Sequence, residues 1–404
     1  MPRHAAREEH SDTIAQLMAR RRVRVLFLID WLGEQGGAER FTLGLATNLP
    51  RDRIEPWVCL THGASDGELE TLHAANVPVV VLGRRSRWES HRLLGLLRLL
   101  RHEQFDVLHT HMFGSNLFGS VAGRLTRVPV LLAHEHTWSY EGRPVRAWLD
   151  GRVIGRLVTR FIAVSRADAE RMVSYERVPA ERVLVMPTAY VPGPTADGDI
   201  RAELGLDDTT PLVATAAVLR PQKAIDVLLE AFASVLQRVP AAHLVIAGEG
   251  VLRSDFTRDP MRQVLENRAH QLGIGQHVHF LGIRRDVDAI LRRADAAALS
   301  SDFEGTPLFI FECMANHTPL VATAVGGVPD VIEDGVSGIL VPPRAPEALA
   351  DALSELLGDE SRRSELTAAA SERLTRFRID SVASEFASLY EQLVSQAGRY
   401  SQSS

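Results

Sequence analysis

The chain has 404 residues, 45 Lys+Arg against 51 Asp+Glu, a net charge of −6, 45% hydrophobic and 24% charged residues. That ordinary globular balance, two cysteines with no useful spacing and no 18-residue apolar run argue against a disulfide framework, a cysteine metal site and a transmembrane helix. Charge is unevenly divided: residues 1–194 hold 26 Arg and 21 Asp+Glu (net +5), residues 195–404 hold 19 Lys+Arg and 30 Asp+Glu (net −11), which disfavours a nucleic-acid binder.

The first 22 residues read as a polar extension without the apolar stretch of a secretion signal. Val23–Ile29 is a buried strand running into the glycine-rich turn Gly33–Gly37 and a helix Ala38–Asn48. Further strands are expected at Pro56–Leu60, Pro78–Leu82, Asp106–His109, Val130–His134, Arg160–Val164 and Val183–Met186. A Pro- and Gly-rich break at Tyr190–Asp199 then reads as a linker and hinge. The alternation restarts at Pro211–Ala217 and continues through His243–Ala247, Val278–Leu281, Ala296–Leu299, Leu320–Thr323 and Gly338–Leu340. Strands alternating with helices predict two Rossmann-like α/β halves with parallel sheets, facing each other across a cleft. A last helix, Ser381–Val394, has no packing partner that the sequence alone selects. Arg84–His102 reads as a basic amphipathic helix, either packed on the core with a solvated Arg face or lying on anionic membrane.

Ser300–Pro343 is the most informative stretch. Glu304 and Glu312 stand there with seven residues between them, Thr306 suits an N-cap and Pro307 a first helical position, and the helix must stop before Pro319. Glu304 then lies in a loop at a helix N-terminus, where free N–H groups suit a phosphate and carboxylates suit ribose hydroxyls. Taken alone, the two glutamates read more readily as solvated charges, and only the surrounding pattern reverses that. Upstream, Arg220 and Lys223 sit in the turn after the strand Pro211–Ala217, and Lys223 is the single lysine of the chain. A cation pair in such a turn suits a diphosphate, although Arg220 by itself is as readily a surface turn residue. Gly36 and Gly37 open a helix where backbone can approach a ligand. The Gly-x-Gly-x-x-Gly fingerprint is absent, so NAD is disfavoured. His109-Thr110-His111 and His134-Glu135-His136 close two strands, and period-two spacing puts both members of each pair on one face. On spacing alone, metal ligation and packed core histidines both stay open.

The whole Ser300–Pro343 segment resembles the C-terminal signature of glycosyltransferase family 4, the retaining nucleotide-sugar transferases with the GT-B fold. The resemblance rests on Glu304, Glu312, Gly326-Gly327-Val328-Pro329-Asp330 and Glu333–Pro343, more than forty residues in all. Lys223 matches the family's diphosphate lysine. A common family form has the arginine at the position of Val218, so Arg220 is displaced by two, and Ala224 stands where glycine is usual. Gly36-Gly37-Ala38-Glu39, Gly248-Glu249-Gly250 and Leu281-Gly282 resemble further family turns, and His136 matches a histidine facing the donor sugar and acceptor. The resemblance implies that Lys223 and Arg220 hold the leaving diphosphate, Glu312 the ribose, and Glu304 the sugar hydroxyls. His136, Glu304 and Lys223 are then the catalytic set. Gly36, Gly37, Gly248, Leu281, Gly305, Thr306, Pro307 and Leu308 line the donor, and His111 and Asn116 are acceptor-side candidates.

The implied donor is a nucleotide-diphosphate sugar, UDP- or GDP-linked, with a glycan or polyprenyl/lipid-linked acceptor in polysaccharide or glycolipid assembly. No metal and no cofactor are expected, because basic residues and a helix dipole replace them. The implied organisation is an extension (1–22), an acceptor domain (23–192), a donor domain (193–378) and a C-terminal helix and tail (379–404) that could cross back to the first domain. A cytoplasmic protein, with peripheral membrane contact through its basic half, is the expected setting. The rival readings are a sugar-nucleotide epimerase or hydrolase of the same fold and a non-catalytic nucleotide-sugar binder.

Overall fold

The structure is a computed structural model that describes residues 21–33, 36–84, 89, 94–136, 143–193, 197–250 and 260–402. Among the described residues, thirteen strands form two parallel sheets. The first contains β1 (Val23–Leu32), β2 (Ile54–Ala64), β3 (Val79–Val81), β4 (Val107–His111), β5 (Val130–Glu135), β6 (Arg160–Ala163) and β7 (Val183–Val185), in the order β3-β2-β1-β4-β5-β6-β7. The second contains β8 (Leu212–Ala216), β9 (His243–Ala247), β10 (Val278–Gly282), β11 (Ala296–Leu299), β12 (Leu320–Thr323) and β13 (Ile339–Val341), in the order β10-β9-β8-β11-β12-β13. Each order reverses once, between β1 and β4 and between β8 and β11, and clefts open beyond such reversals.

Parallel strands covered on both faces read as continuous apolar runs, which is why their positions follow from composition. β1 outruns its apolar stretch by three residues because hydrogen bonds satisfy Asp30: its carboxylate accepts from Thr61 (2.6 Å) and Ser115 (3.0 Å). Six helices matter below: α1 (Gly37–Asn48), α2 (Leu94–Glu103), α3 (Met112–Thr126), α4 (Ile225–Arg238), α5 (Leu308–Ala315) and α6 (Ile379–Gln402).

The helix expected over Arg84–His102 is shorter. Within it, α2 starts at Leu94, and residues 85–88 and 90–93 lie outside the described residues. Arg84 is buried with its guanidinium over the Phe118 ring, so it belongs to no solvated face. α2 packs Leu96 and Leu100 into the core and presents Arg98 and Arg101 to solvent. Among the described residues no helix is long and apolar enough to cross a membrane.

α6 follows the second sheet in the chain but packs on the first. Val382, Ala383, Phe386, Ala387, Tyr390 and Leu393 are buried in the same core as Phe27, Phe41 and Leu45. Arg53, just before β2, donates to both carboxylate oxygens of Glu391 on α6 (3.2 and 2.6 Å). The two chain crossings between the halves lie side by side. Tyr190 N–H donates to the Phe377 carbonyl (2.7 Å), and Ile379 N–H donates to the Tyr190 carbonyl (3.1 Å).

Candidate active site

A cavity of about 450 Å³ lies between the two sheets, beyond the carboxyl ends of β4, β5, β8 and β11. Gly36, Gly37, Glu39, Arg40, Met112, His136 and Thr188 line it from the first half. Arg220, Gln222, Lys223 and the run Glu304–Phe309 with Glu312 line it from the second.

Lys223 is the last residue of a 3-10 turn, Pro221–Lys223, between β8 and α4. Ala224 follows with φ +46°, a left-handed backbone that glycine adopts freely and alanine does not. This explains the resemblance's preference for glycine at that position. The turn is tied to the loop after β11. Asp302 N–H donates to the Gln222 carbonyl (2.8 Å), Gln222 Nε2 to the Phe303 carbonyl (2.8 Å), and Ser300 Oγ to the Lys223 carbonyl (2.9 Å). The result is a bond from Lys223 Nζ to Glu304 Oε1 of 2.6 Å across 81 residues, with Ser301 Oγ donating to the same oxygen (2.5 Å). The Glu304 side chain is only 7% exposed, so the ion pair is sheltered while both groups still face the cavity. Arg220 lines the same cavity, exposed, and pairs with no carboxylate among the described residues.

The loop that carries Glu304 is held by backbone packing against Gly326. Gly326 has φ +53°, and a Cβ there would lie 1.7 Å from the Glu304 carbonyl oxygen. Gly248 makes a similar close approach further from the cavity. At φ +144° it brings the end of β9 so near Ala217 that a Cβ would meet the Ala217 carbonyl at 1.8 Å.

The two halves meet directly. Arg40 Nη1 donates to Glu312 Oε1 (2.8 Å) while Nη2 reaches the Val191 carbonyl (3.2 Å). Thr306 Oγ1 donates to the Val164 carbonyl (3.0 Å), and Arg166 N–H donates to Asp330 (2.8 Å). A Cβ on Gly305 would lie 2.5 Å from the His136 carbonyl oxygen, so the glycine lets the loop after β11 close on the opposite strand end.

One expectation needs correction, and four expected site residues lie off this cavity. Thr306 does not cap α5: its hydroxyl donates to Val164, the cap position is Pro307, and the helix starts at Leu308. Gly248 and Leu281 do not line the cavity; Leu281 packs against the core of the second half. Asn116 does not face the cleft. It is fully buried, accepting from Thr110 Oγ1 (2.7 Å) and donating to the His134 carbonyl (3.3 Å). His111 is also fully buried, one layer behind His136, with its Nδ1 3.0 Å from His136 Nε2. His136 alone of the four strand-end histidines lines the cavity. Burial pushes its imidazole down to about 3, so it is neutral at physiological pH.

Glu39, Arg40, Met112 and Thr188 line the cavity although sequence reasoning gave them no role there. Burial raises the Glu39 carboxyl above its ordinary range. Met112 starts α3 at φ +70°, and left-handed non-glycine backbone gathers at functional sites. Glu39 had a signal in the Gly36-Gly37-Ala38-Glu39 turn and Arg40 in the basic surplus of the first half, whereas Met112 and Thr188 had none. Behind β5 lies a second polar group: Glu135, Asp150 and Glu176, all buried, with Arg146 Nη2 3.8 Å from Glu135. Burial, then Glu135 and Glu176, push the Asp150 carboxyl up to about 9.

Comparison with known proteins agrees with this architecture. The family described as "Glycosyltransferase Family 4" matches residues 35–191, and that described as "Glycosyl transferases group 1" matches residues 197–373. A D-inositol 3-phosphate glycosyltransferase of Xylanimonas cellulosilytica is 33% identical over 325 residues, 74% of this chain and 75% of that protein. One of Actinosynnema mirum is 32% identical over 80% of this chain and 84% of its own. The Alpha-D-kanosaminyltransferase of Streptomyces kanamyceticus is 28% identical over 81% and 90%. Among solved structures, Anabaena Alr3699/HepE in complex with UDP and glucose aligns with a TM-score of 0.77 at 22% identity, over 92% of this chain and 100% of that one.

Proposed function

The chain belongs to glycosyltransferase family 4, and on that premise we propose that its cleft takes a nucleoside diphosphate sugar and transfers the sugar, with retention, to a hydroxyl acceptor. The observation that carries this reading is the convergence of Lys223, Arg220, Glu304 and Glu312 on one cavity at the N-terminus of α5.

In this reading the diphosphate lies between Arg220, Lys223 and the backbone N–H groups that open α5. An ammonium has three N–H donors, so Lys223 can hold Glu304 and a phosphate oxygen together. Glu304 accepts from sugar hydroxyls, and Glu312, oriented by Arg40, accepts from the ribose. As the bond from the anomeric carbon to phosphate oxygen breaks, its electron pair leaves with the diphosphate. The cations already in place stabilise that charge. The acceptor oxygen attacks from the same face, and its proton passes to the departing phosphate oxygen. His136, neutral, donates or accepts one hydrogen bond near the reacting carbon and serves as no strong base. A double displacement would need a free carboxylate as nucleophile. Glu304 is disfavoured for it, since one of its oxygens is held by both Lys223 and Ser301.

No divalent cation is required to bridge the diphosphate in this scheme. UDP is the first nucleotide to test, since the structural neighbour HepE is described with UDP and with UDP-glucose. The acceptor belongs to the basic first half, and the names of the relatives point to D-inositol 3-phosphate as a first acceptor to try beside glycans and lipid-linked sugars. Peripheral membrane contact through that half enters the proposal only for a lipid-linked acceptor.

The test is a thermal-shift screen with UDP-, GDP- and ADP-sugars, followed by transfer assays with and without acceptor. A donor present at 100 times its Kd should add about 2.7 kcal/mol of stability. Lys223→Ala should fold normally and lose about 10²–10³-fold in turnover. Near-normal turnover in that variant counts against the diphosphate role, and acceptor-independent epimerisation counts against transfer.

A further inference from the structure

Four imidazoles form one block under the cleft floor. His109 and His111 point from β4 to the face that α1 and α6 cover, and His134, beside His111 in register on β5, points the same way with His136 following it. Ring centroids are 4.3 Å apart for His109 and His111, 4.2 Å for His134 and His136, and 5.4 Å for His109 and His134. Phe27, Phe41 and Phe386 wall the block. His109, His111 and His134 have no exposed surface.

The hydrogen bonds of this block leave several groups unanswered. His109 Nδ1 meets the Tyr390 hydroxyl (2.8 Å), and His111 Nδ1 meets His136 Nε2 (3.0 Å). His109 Nε2, His111 Nε2 and both ring nitrogens of His134 have no hydrogen-bond partner and no contact with solvent. Buried polar atoms are rarely left so, because each forfeits the hydrogen bonds it makes with water. A lone core histidine with one idle nitrogen would need little explanation; three stacked together with four idle nitrogens do.

The three rings that carry them converge. His109, His111 and His134 can each present one ligand atom such that all lie within 4.8 Å of one another. A metal with bonds of about 2.0–2.1 Å to imidazole draws its ligands to about 3.3 Å apart, a contraction that small ring rotations supply. The outer contacts already have the form seen around metal-bound histidines, whose second nitrogen is fixed by a partner. Tyr390 fixes His109 and His136 fixes His111. The way in passes His136, which borders the cavity and touches His111.

We propose that His109, His111 and His134 bind one first-row transition-metal ion of the zinc type beneath the cleft. The site departs from the absence of metal expected from sequence. It differs from a diphosphate-bridging cation, because Lys223 and Arg220 are on the opposite domain. Its role is structural: it joins β4 to β5 and, through Tyr390, to α6, and so fixes the strand end that carries His136.

The full chain, expressed in zinc-replete medium, should carry about one zinc per chain by elemental analysis. After chelation the protein should take up one equivalent of Co2+ with visible d–d bands, which Zn2+ displaces, and its Tm should rise on binding. His134→Leu should lose the bands and the stoichiometric metal, whereas His243→Gln, on the other domain, should keep both. Wild-type protein with substoichiometric metal, no d–d bands and no Tm rise overturns the site even if His134→Leu does not fold. Equal metal binding by folded His134→Leu overturns it too. UDP-sugar binding, read by thermal shift on the chelated protein, reports separately on the donor cleft.

Discussion

Replacing Gly326 by alanine tests whether loop geometry, more than charge, sets the donor site. The new Cβ would lie 1.7 Å from the Glu304 carbonyl oxygen, whereas real Cβ atoms essentially never come within 3.0 Å. The Glu304 backbone must therefore retreat by more than an ångström, and its carboxylate leaves the 2.6 Å bond to Lys223. A misplacement of that size costs about 10²-fold in rate, or about 2.7 kcal/mol of barrier. Left-handed backbone adds a stability cost of about 1–2 kcal/mol. Gly335→Ala is the control, since Gly335 has φ +70° but its nearest neighbour is Arg362 Nη2 at 3.7 Å. It should lose similar strain energy and no activity. Initial rates of nucleotide release, with melting curves for both variants, separate the two effects. Gly326→Ala with kcat and donor KM within about threefold of wild type would refute the reasoning.

Three further outcomes follow from the same geometry. Asp150, fully buried and pushed up to about 9 from an ordinary 3.8, holds a proton in the folded chain that the unfolded chain releases. Stability from this group is therefore whole below pH ~4 and is lost as pH rises towards ~9. Asp150→Asn should be more stable by about 1–3 kcal/mol at pH 8 and should flatten the profile; denaturant titrations giving parallel profiles would contradict this. Ala224→Gly relieves a φ of +46° and should raise stability by up to about 1 kcal/mol, and a lower Tm would show that the turn is not strained. Arg40→Ala removes the bond to Glu312 between partly exposed partners, so it should cost at most about 1 kcal/mol of stability while weakening donor binding several-fold. Unchanged donor Kd by calorimetry would deny Glu312 its orienting partner.

The strands were legible because burial on both faces writes them as apolar runs, and the turn at Arg220–Lys223 was legible because it follows one directly. Lys223 and Glu304 were brought to one site in advance only by the family resemblance, and their ion pair was not foreseen, since no local rule joins positions 81 apart. Glu39 stood in a turn quoted for the resemblance, but its place in the site, like those of Arg40 and Thr188, comes from closure of one half on the other, which no spacing encodes. Asn116 and His111 lie off the cavity for the reverse reason. Polar side chains near strand ends look accessible from sequence, yet Thr110 and the His134 carbonyl occupy Asn116, and His136, Phe27 and Phe41 enclose His111. The face shared by His109 and His111 followed from period two, whereas the density of the histidine block depends on Phe386 and Tyr390 arriving from far along the chain.

That late arrival bears on synthesis. Chains are made from the N-terminus, and early domains ordinarily fold while later ones are still being translated. Here the first sheet's core contains Phe386, Ala387, Tyr390 and Leu393. Until those residues leave the ribosome, Phe27 and Phe41 lack the helix that seals them. The second domain, whose own core ends at Phe377, can finish first. The nascent chain thus carries an open, apolar sheet face for most of its translation, and chaperone demand should fall on the N-terminal half.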